Sequence, residues 1–329
     1  MTHPRPRRLD EDDVRVRPGR GTRPRSKERP QHLDAVVGDV VTVDRGRYTC
    51  LVDGRDVLAM TARELGRRAV VVGDRVALVG DVSGDPGSLA RIVRVEPRTS
   101  VLRRTADDAD PVERVIVANA DQLGVVIALA NPEPRTRLID RCLVAAYDAR
   151  LDPLLVLTKA DLASPEPLLE TYRPLDVPYV VTGRDRPLDP LLARLQNRTT
   201  VLVGHSGVGK STLVNALVPG AERATGRVNV VTGRGRHTSS SAVLLPLPGG
   251  GRVIDTPGIR SFGLAHVDPE RVVEAFPDLA AGTAQCPRGC SHDEPDCALD
   301  AWVAAGSAEP ARLASLRRLL RTRLGDEDG

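Results

Sequence analysis

Residues 204–211 read Gly204-His205-Ser206-Gly207-Val208-Gly209-Lys210-Ser211, a full match to G-x-x-x-x-G-K-[ST]. A loop of this kind turns its backbone N–H groups toward a polyphosphate, while its lysine neutralises charge on the β- and γ-phosphates. Ser211, with Thr212 beside it, offers a hydroxyl to Mg²⁺. The chain holds only three lysines against 44 arginines, and two of the three, Lys159 and Lys210, lie in nucleotide-binding signatures. A slim ammonium threads between glycines where a forked guanidinium would clash.

The partners of such a loop are present. Asp255-Thr256-Pro257-Gly258 is a D-x-x-G placed 44 residues beyond Ser211 and after an apolar run. Asp255 can hold Mg²⁺ through water, and the Gly258 N–H can touch the γ-phosphate. Thr158-Lys159-Ala160-Asp161 also follows an apolar run. The Asp161 carboxylate can accept from guanine N1–H and N2–H₂ together, a pairing adenine lacks, and the Lys159 stem can cover the base. Thr158 stands where an asparagine is usual, keeping a polar anchor without the amide. Val180-Val181-Thr182-Gly183 is a weaker signal for a backbone N–H at the guanine carbonyl. The position after D-x-x-G is Ile259, which cannot orient water as a glutamine does, so slow intrinsic turnover is expected. His237, in the Gly/Arg-rich run 233–238, is the candidate replacement; its other reading is a contact to RNA.

These motifs need strand ends and helix starts to position them. Leu123–Ala130 and Leu154–Leu157 are continuous apolar runs suited to strands buried on both faces of a parallel sheet. Val177–Val181 and Thr200–Val203 give further strands, with helical patterns around Leu138–Ala146, Leu188–Leu195 and after Lys210. Gly249-Gly250-Gly251 between Ser241–Leu247 and Arg252–Ile254 reads as a hairpin. The stretch 112–265 is therefore a doubly wound α/β P-loop domain. The base-reading motif precedes the phosphate loop, the reverse of ordinary small GTPases, which a circular permutation explains. Residues 34–97 read as five strands, Val36–Val43, Tyr48–Val52, Asp56–Ala59, Val70–Val79 and Leu89–Val95. They suit a closed barrel of the OB type, with an SH3-like barrel as the alternative. Residues 98–111 read as a linker. From 266 to 329 come a short helix, a Cys/His cluster and a final helix from Glu309 to Leu324. There a leucine stripe lies beside arginines, a packed face opposite a charged one or an RNA-facing surface.

Cys286, Cys290, His292 and Cys297 make C-x₃-C-x-H-x₄-C, a Cys₃His set suited to one tetrahedral structural Zn²⁺. Cys50 and Cys142 stand alone in apolar segments as buried thiols.

OB-like barrel, permuted GTPase and Cys/His module, in that order, resemble the bacterial RsgA (YjeQ) family over about residues 34–305. The resemblance implies a GTP hydrolase acting late in maturation of the small (30S) ribosomal subunit, stimulated by that subunit, with 16S rRNA, GTP and GDP as partners. It implies that 233–238 is the first switch, with Thr238 near Mg²⁺, and it points to His237 for the water. In the family's zinc pattern each of the two longer gaps has one residue more. The competing reading is an rRNA-binding scaffold that senses nucleotide with little turnover; a P-loop kinase is disfavoured by Thr158–Asp161.

Composition is that of a soluble globular protein, 41% apolar and 28% charged, with a net charge of +3. Residues 1–33 carry ten basic against five acidic residues and five prolines. They read as a disordered basic tail, either an arm for nucleic acid or a solubilising segment. No apolar run is long enough for a bilayer, and no signal-peptide core follows the start, so a cytoplasmic monomer is expected. Tyr48 is the sole aromatic between 34 and 97. That argues against base stacking on the barrel and for folded RNA held through phosphates.

Overall fold

Alternation along the N-terminal segments sends every second side chain inward. In β1 (Val36–Asp44) the inward set includes Val40 and Thr42; in β2 (Arg47–Val52) it is Tyr48, Cys50 and Val52; in β3 (Arg55–Thr61) it is Val57 and Ala59. With β4 (Arg75–Gly80) and β5 (Ala90–Val95) they enclose one apolar core. Strand order is β1-β2-β3-β5-β4, and β1 also pairs with β4, so the sheet closes on itself. Only the β3–β5 pair is parallel. This is the five-stranded closed barrel expected from the sequence, and closure removes its free edges. Tyr48 is buried in it, so the barrel surface presents no aromatic platform. The computed structural model describes residues 32–65, 70–105, 113–221, 242–257 and 263–324.

Two segments differ from the sequence reading. The run Val70–Val79 does not form one strand: Gly73 adopts φ +87° and the carboxylate of Asp74 accepts the Val71 N–H at 2.8 Å, so β4 begins only at Arg75. A Cβ on Gly73 would lie 2.1 Å from the Ala118 carbonyl oxygen, a contact that glycine alone permits. The stretch read as a linker contains β6 (Val101–Arg104), paired antiparallel with β7 (Arg114–Ala118). Asp74, with its side chain fully buried, also receives Arg98 Nε at 2.7 Å and Nη2 at 2.8 Å. This fork ties the barrel to the start of that hairpin.

The central sheet runs β10 (Tyr179–Val181), β9 (Asp152–Thr158), β8 (Gln122–Ala128), β11 (Thr199–Val203), β13 (Arg252–Asp255), β12 (Val243–Pro246). All neighbours are parallel except β12–β13, the hairpin around the glycine triplet. Every residue of β8 is buried, as a strand covered on both faces requires. Helices α3 (Asp189–Leu195) and α4 (Lys210–Leu217) cover one face. The other face carries α1 (Thr136–Asp148) and α2 (Glu166–Tyr172). Successive strands β8, β9 and β10 step one way, and β11 returns to the opposite side of β8, so the topological switch point lies between β8 and β11. At the far side β12 pairs with β1 at Thr42–Val243, and Arg252 bonds Asp39 at 2.7 Å across the same seam.

The C-terminal helices α5 (Pro269–Glu274), α6 (Pro277–Ala280), α7 (Ala298–Ala304) and α8 (Pro310–Leu324) share the α1-side core of the central domain. Asp268 caps α5, accepting the Glu270 N–H at 3.0 Å. Leu313, Leu316, Leu319 and Leu320 of α8 are buried, so the stripe is a packed face. Truncating Leu316 to alanine would cost about 2–5 kcal/mol. Three arginines beside that stripe are engaged internally: Arg312 with Asp278 at 2.6 Å, Arg317 with Asp300 at 2.7 Å, and Arg318 with Asp140 at 3.0 Å. Among the described residues no helix is long and apolar enough to cross a membrane.

Candidate nucleotide site and metal centre

The phosphate loop leaves β11 at the switch point. Gly204 packs so closely over β8 that a Cβ there would stand 2.7 Å from the Val126 carbonyl oxygen. Gly207 and Gly209 hold φ of +85° and +91°, and α4 starts at Lys210 with the Leu213 N–H on the Gly209 carbonyl at 2.9 Å. The loop thus runs directly into the N-terminal turn of α4, whose N–H groups have no intrahelical acceptor and whose dipole favours an anion. The Lys210 side chain is nearly buried, and its ammonium donates to the Asp255 carboxylate and the Thr256 carbonyl. Asp255 is the last residue of β13, and Thr256 is anchored by its hydroxyl on Leu202 O at 2.8 Å. Ammonium and carboxylate thus meet at the start of α4, beside the loop.

The base-reading motif stands beside this loop. Thr158 ends β9, and its hydroxyl donates to Val208 O at 2.6 Å, with Ile127 O second at 3.2 Å. Lys159 takes φ +59° and donates its ammonium to the carbonyls of Gly207, at 2.9 Å, and Asn131. Its stem therefore stretches across the space between motif and loop, where it can lie on a base. The exposed carboxylate of Asp161 accepts the Arg184 N–H at 3.4 Å, and Gly183 is so near that a Cβ there would stand 3.2 Å from Asp161 Oδ1. Ala160 N–H bonds Thr182 O at 3.2 Å. The weak 180–183 signal is thus adjacent to Asp161.

A second cluster lies in the C-terminal module. One ligand atom from each of Cys286, Cys290, His292 and Cys297 falls within a 4.8 Å span. Cys286 Sγ is 3.7 Å from His292 Nδ1 and 3.9 Å from Cys297 Sγ, and Cys297 Sγ is 4.0 Å from His292 Nδ1. Zinc–sulfur bonds of about 2.3 Å put tetrahedral sulfur ligands roughly 3.8 Å apart, so these edges fit that ion. The shortened spacing is accommodated locally, because His292 adopts φ +65° and turns back with its N–H on Cys290 Sγ at 3.4 Å. Burial pushes the Cys290 thiol up to about 12 and raises Cys286, while burial lowers His292. The imidazole is therefore neutral near pH 7 and free to ligate; a divalent cation would take the sulfurs as thiolates.

Residues 95–265, slightly more than half of the chain, match the family model described as RsgA GTPase. A relative from Pseudomonas aeruginosa is 41% identical over 262 residues, covering 77% of this chain and 75% of that one. The chain belongs to the RsgA GTPase family. It is accordingly a GTP-hydrolysing enzyme. A Gemmatimonas aurantiaca relative, 36% identical over 292 residues, covers 86% of this chain and 92% of its own length. Both relatives bear the name small ribosomal subunit biogenesis GTPase RsgA. Among solved structures, YjeQ from Thermotoga maritima aligns over 89% of this chain and all of its own, with 27% identity and a TM-score of 0.64. YloQ, described as a circularly permuted GTPase, aligns over 92% of this chain at 23% identity and a TM-score of 0.63, a likeness of fold.

Of the residues expected from sequence, Thr158 and Lys159 bond the loop 204–211 and Lys210 meets Asp255, while Asp161 follows Lys159 by two residues and Thr212 lies in the first turn of α4. Gly258, His237 and Thr238 lie outside the described residues, as does all but the end of the 1–33 tail. Sequence reasoning missed Asn131, whose carbonyl holds Lys159, and Arg184, whose N–H meets Asp161. The turn signal Asn131-Pro132-Glu133-Pro134 after β8 could have pointed to the first; a backbone donor such as Arg184 leaves no side-chain signal.

Proposed function

We propose that this GTPase acts in maturation of the small ribosomal subunit, binding its 16S rRNA and hydrolysing GTP faster when the subunit is present. The observation supporting the guanine reading is the Thr158–Val208 bond, which ties the strand end just before Asp161 to the loop just before Lys210. The subunit reading comes from the names of relatives that cover most of the chain. Asp161 selects the base, Lys159 covers it, and residues 204–212 hold the phosphates, with Lys210 offsetting charge on the leaving group. Ser211, Thr238 and Asp255 supply the hard oxygen donors that suit Mg²⁺, which when bound would neutralise charge on the β- and γ-oxygens. Gly258 meets the γ-phosphate, and His237 orients the water in place of Ile259. Cys286, Cys290, His292 and Cys297 hold one structural Zn²⁺ that stabilises the C-terminal module. The functional divisions are a tail (1–33), barrel (34–97), linker (98–111), GTPase domain (112–265) and zinc module (266–329). The protein works in the cytoplasm as a monomer.

Steady-state phosphate release with and without purified small subunits tests the proposal. GTP turnover is expected to be slow alone and to rise with subunits, and ATP is expected to bind far more weakly. Equal affinity for ATP and GTP, or turnover indifferent to the subunit, would overturn it.

A further inference from the structure

We propose that Arg317 of α8 is the positioning residue of the Cys₃His centre, fixing the ligand loop in its binding geometry and offsetting the charge of its thiolates. The inference rests on the reading that this set holds zinc.

Arg317 is the residue at which three parts of the module meet. Its Nε donates to the backbone carbonyl of the ligand His292 at 2.8 Å. Its Nη1 and Nη2 fork onto the Asp300 carboxylate at 2.8 and 2.7 Å. Asp300 lies in the first turn of α7, three residues after the ligand Cys297. Asp293, next to His292, is 3.8 Å away from the guanidinium. One planar group therefore spans both ends of the segment carrying the last two ligands. His292 sits in the left-handed region, which costs a residue with a Cβ about 1–2 kcal/mol; the bond to its own carbonyl holds that peptide in place.

Charge argues the same way. Three thiolates and a neutral imidazole around Zn²⁺ leave one net negative charge, and a guanidinium held on the carbonyl of the ligand His292 opposes it. An ammonium could supply the charge, but it could not bond the His292 carbonyl while forking onto Asp300. The neighbouring Arg318 supplies an internal control, because it turns to Asp140 on α1 and over the Tyr172 ring at 5.2 Å. It docks α8 on the GTPase domain without touching the ligand loop.

The test uses the full chain. Zinc content of the purified wild type comes first: protein that binds no zinc overturns the zinc reading and this inference with it. With zinc present, its release to a chromogenic chelator at pH 7.5 is timed in the wild type, Arg317→Met, Arg317→Lys and Arg318→Met. Arg317→Met is expected to release zinc about 10- to 100-fold faster, Arg317→Lys by an intermediate factor, and Arg318→Met near the wild-type rate. Cobalt-substituted protein is expected to show a shifted thiolate-to-metal absorption band in Arg317→Met only. Wild-type release and an unshifted band in Arg317→Met would overturn the inference and leave the zinc reading standing. Equal acceleration by Arg318→Met would also overturn it, assigning the effect to helix docking. If Arg317→Met does not fold, Arg317→Lys decides: release at the wild-type rate counts against the fork.

Discussion

The hydroxyl of Thr158 donates to the carbonyl of Val208 over 2.6 Å, so the strand end proposed to read the base is tied to the loop proposed to hold the phosphates. Both residues are buried, which makes the bond hard to replace by water. Thr158→Ala leaves the Val208 carbonyl without this donor. It is expected to lower unfolding free energy by about 1–3 kcal/mol and to weaken GTP binding. Thr158→Ser, which keeps the hydroxyl, is expected to stay near the wild type. Denaturant unfolding and nucleotide titration check both variants; an alanine variant with unchanged stability and affinity would show the bond to be incidental.

Asp161 is the only carboxylate of the Thr158–Asp161 motif, and a Cβ on the adjacent Gly183 would stand 3.2 Å from its Oδ1. Two charge-assisted bonds to guanine, at about 1.5–3 kcal/mol each, predict that Asp161→Asn weakens GTP by roughly 100-fold or more. The amide can instead meet the 2-oxo group of xanthine. Competition binding with GTP and XTP reads the outcome, and an asparagine variant still preferring GTP would remove Asp161 from base recognition.

Ion pairs of this chain divide sharply by burial. Asp74 has a fully buried carboxylate held by Arg98 Nε and Nη2 and by the Val71 N–H, whereas Arg198–Asp152 is 42% and 69% exposed. Asp74→Asn breaks a buried fork between barrel and hairpin and is expected to cost about 3–5 kcal/mol. Arg198→Ala is expected to cost at most about 1 kcal/mol. Thermal unfolding of the two variants side by side tests the ranking, and equal losses would contradict it.

What could be read from the residues alone follows from how local the physics is. The loop 204–211, Asp255 and the Thr158–Asp161 motif are short patterns whose proposed chemistry needs fixed residue types at fixed spacing, and the structure sets them at strand ends and a helix start as that chemistry asks. Alternation and burial gave the barrel strands for the same reason. The strand boundary at Arg75 was not legible, because it depends on Gly73 lying under Ala118 and on Asp74 finding Arg98, 24 residues on. Hairpin β6–β7 was missed because its polar connection hides two short strands that form a small sheet of their own. The arginines of α8 look like a solvated stripe in sequence. Their partners, such as Asp140 for Arg318, lie 178 residues away, and no periodicity carries that information.

His266 predicts how stability responds to acid. Its side chain is 3% exposed, its Nε2 is 3.8 Å from Asp148 Oδ2, and its Nδ1 is buried with no hydrogen-bond partner among the described residues. Burial lowers its pKa below the ordinary 6.5, outweighing Asp148 and Glu113, which raise it; Arg103 adds to the lowering. Arg271, 3.5 Å from Asp148, draws on the same carboxylate. With the folded value depressed, the stabilisation is whole above pH 6.5, where both states hold a neutral ring. It shrinks as pH falls, because the unfolded chain takes up the proton first, and levels off only below the folded pKa. Wild-type unfolding free energy is therefore expected to decline from pH 7 to about pH 5 more steeply than that of His266→Gln. Urea titrations across that range measure the two slopes. Parallel slopes would mean that the imidazole titrates alike in both states, and that its burial has no bearing on acid sensitivity.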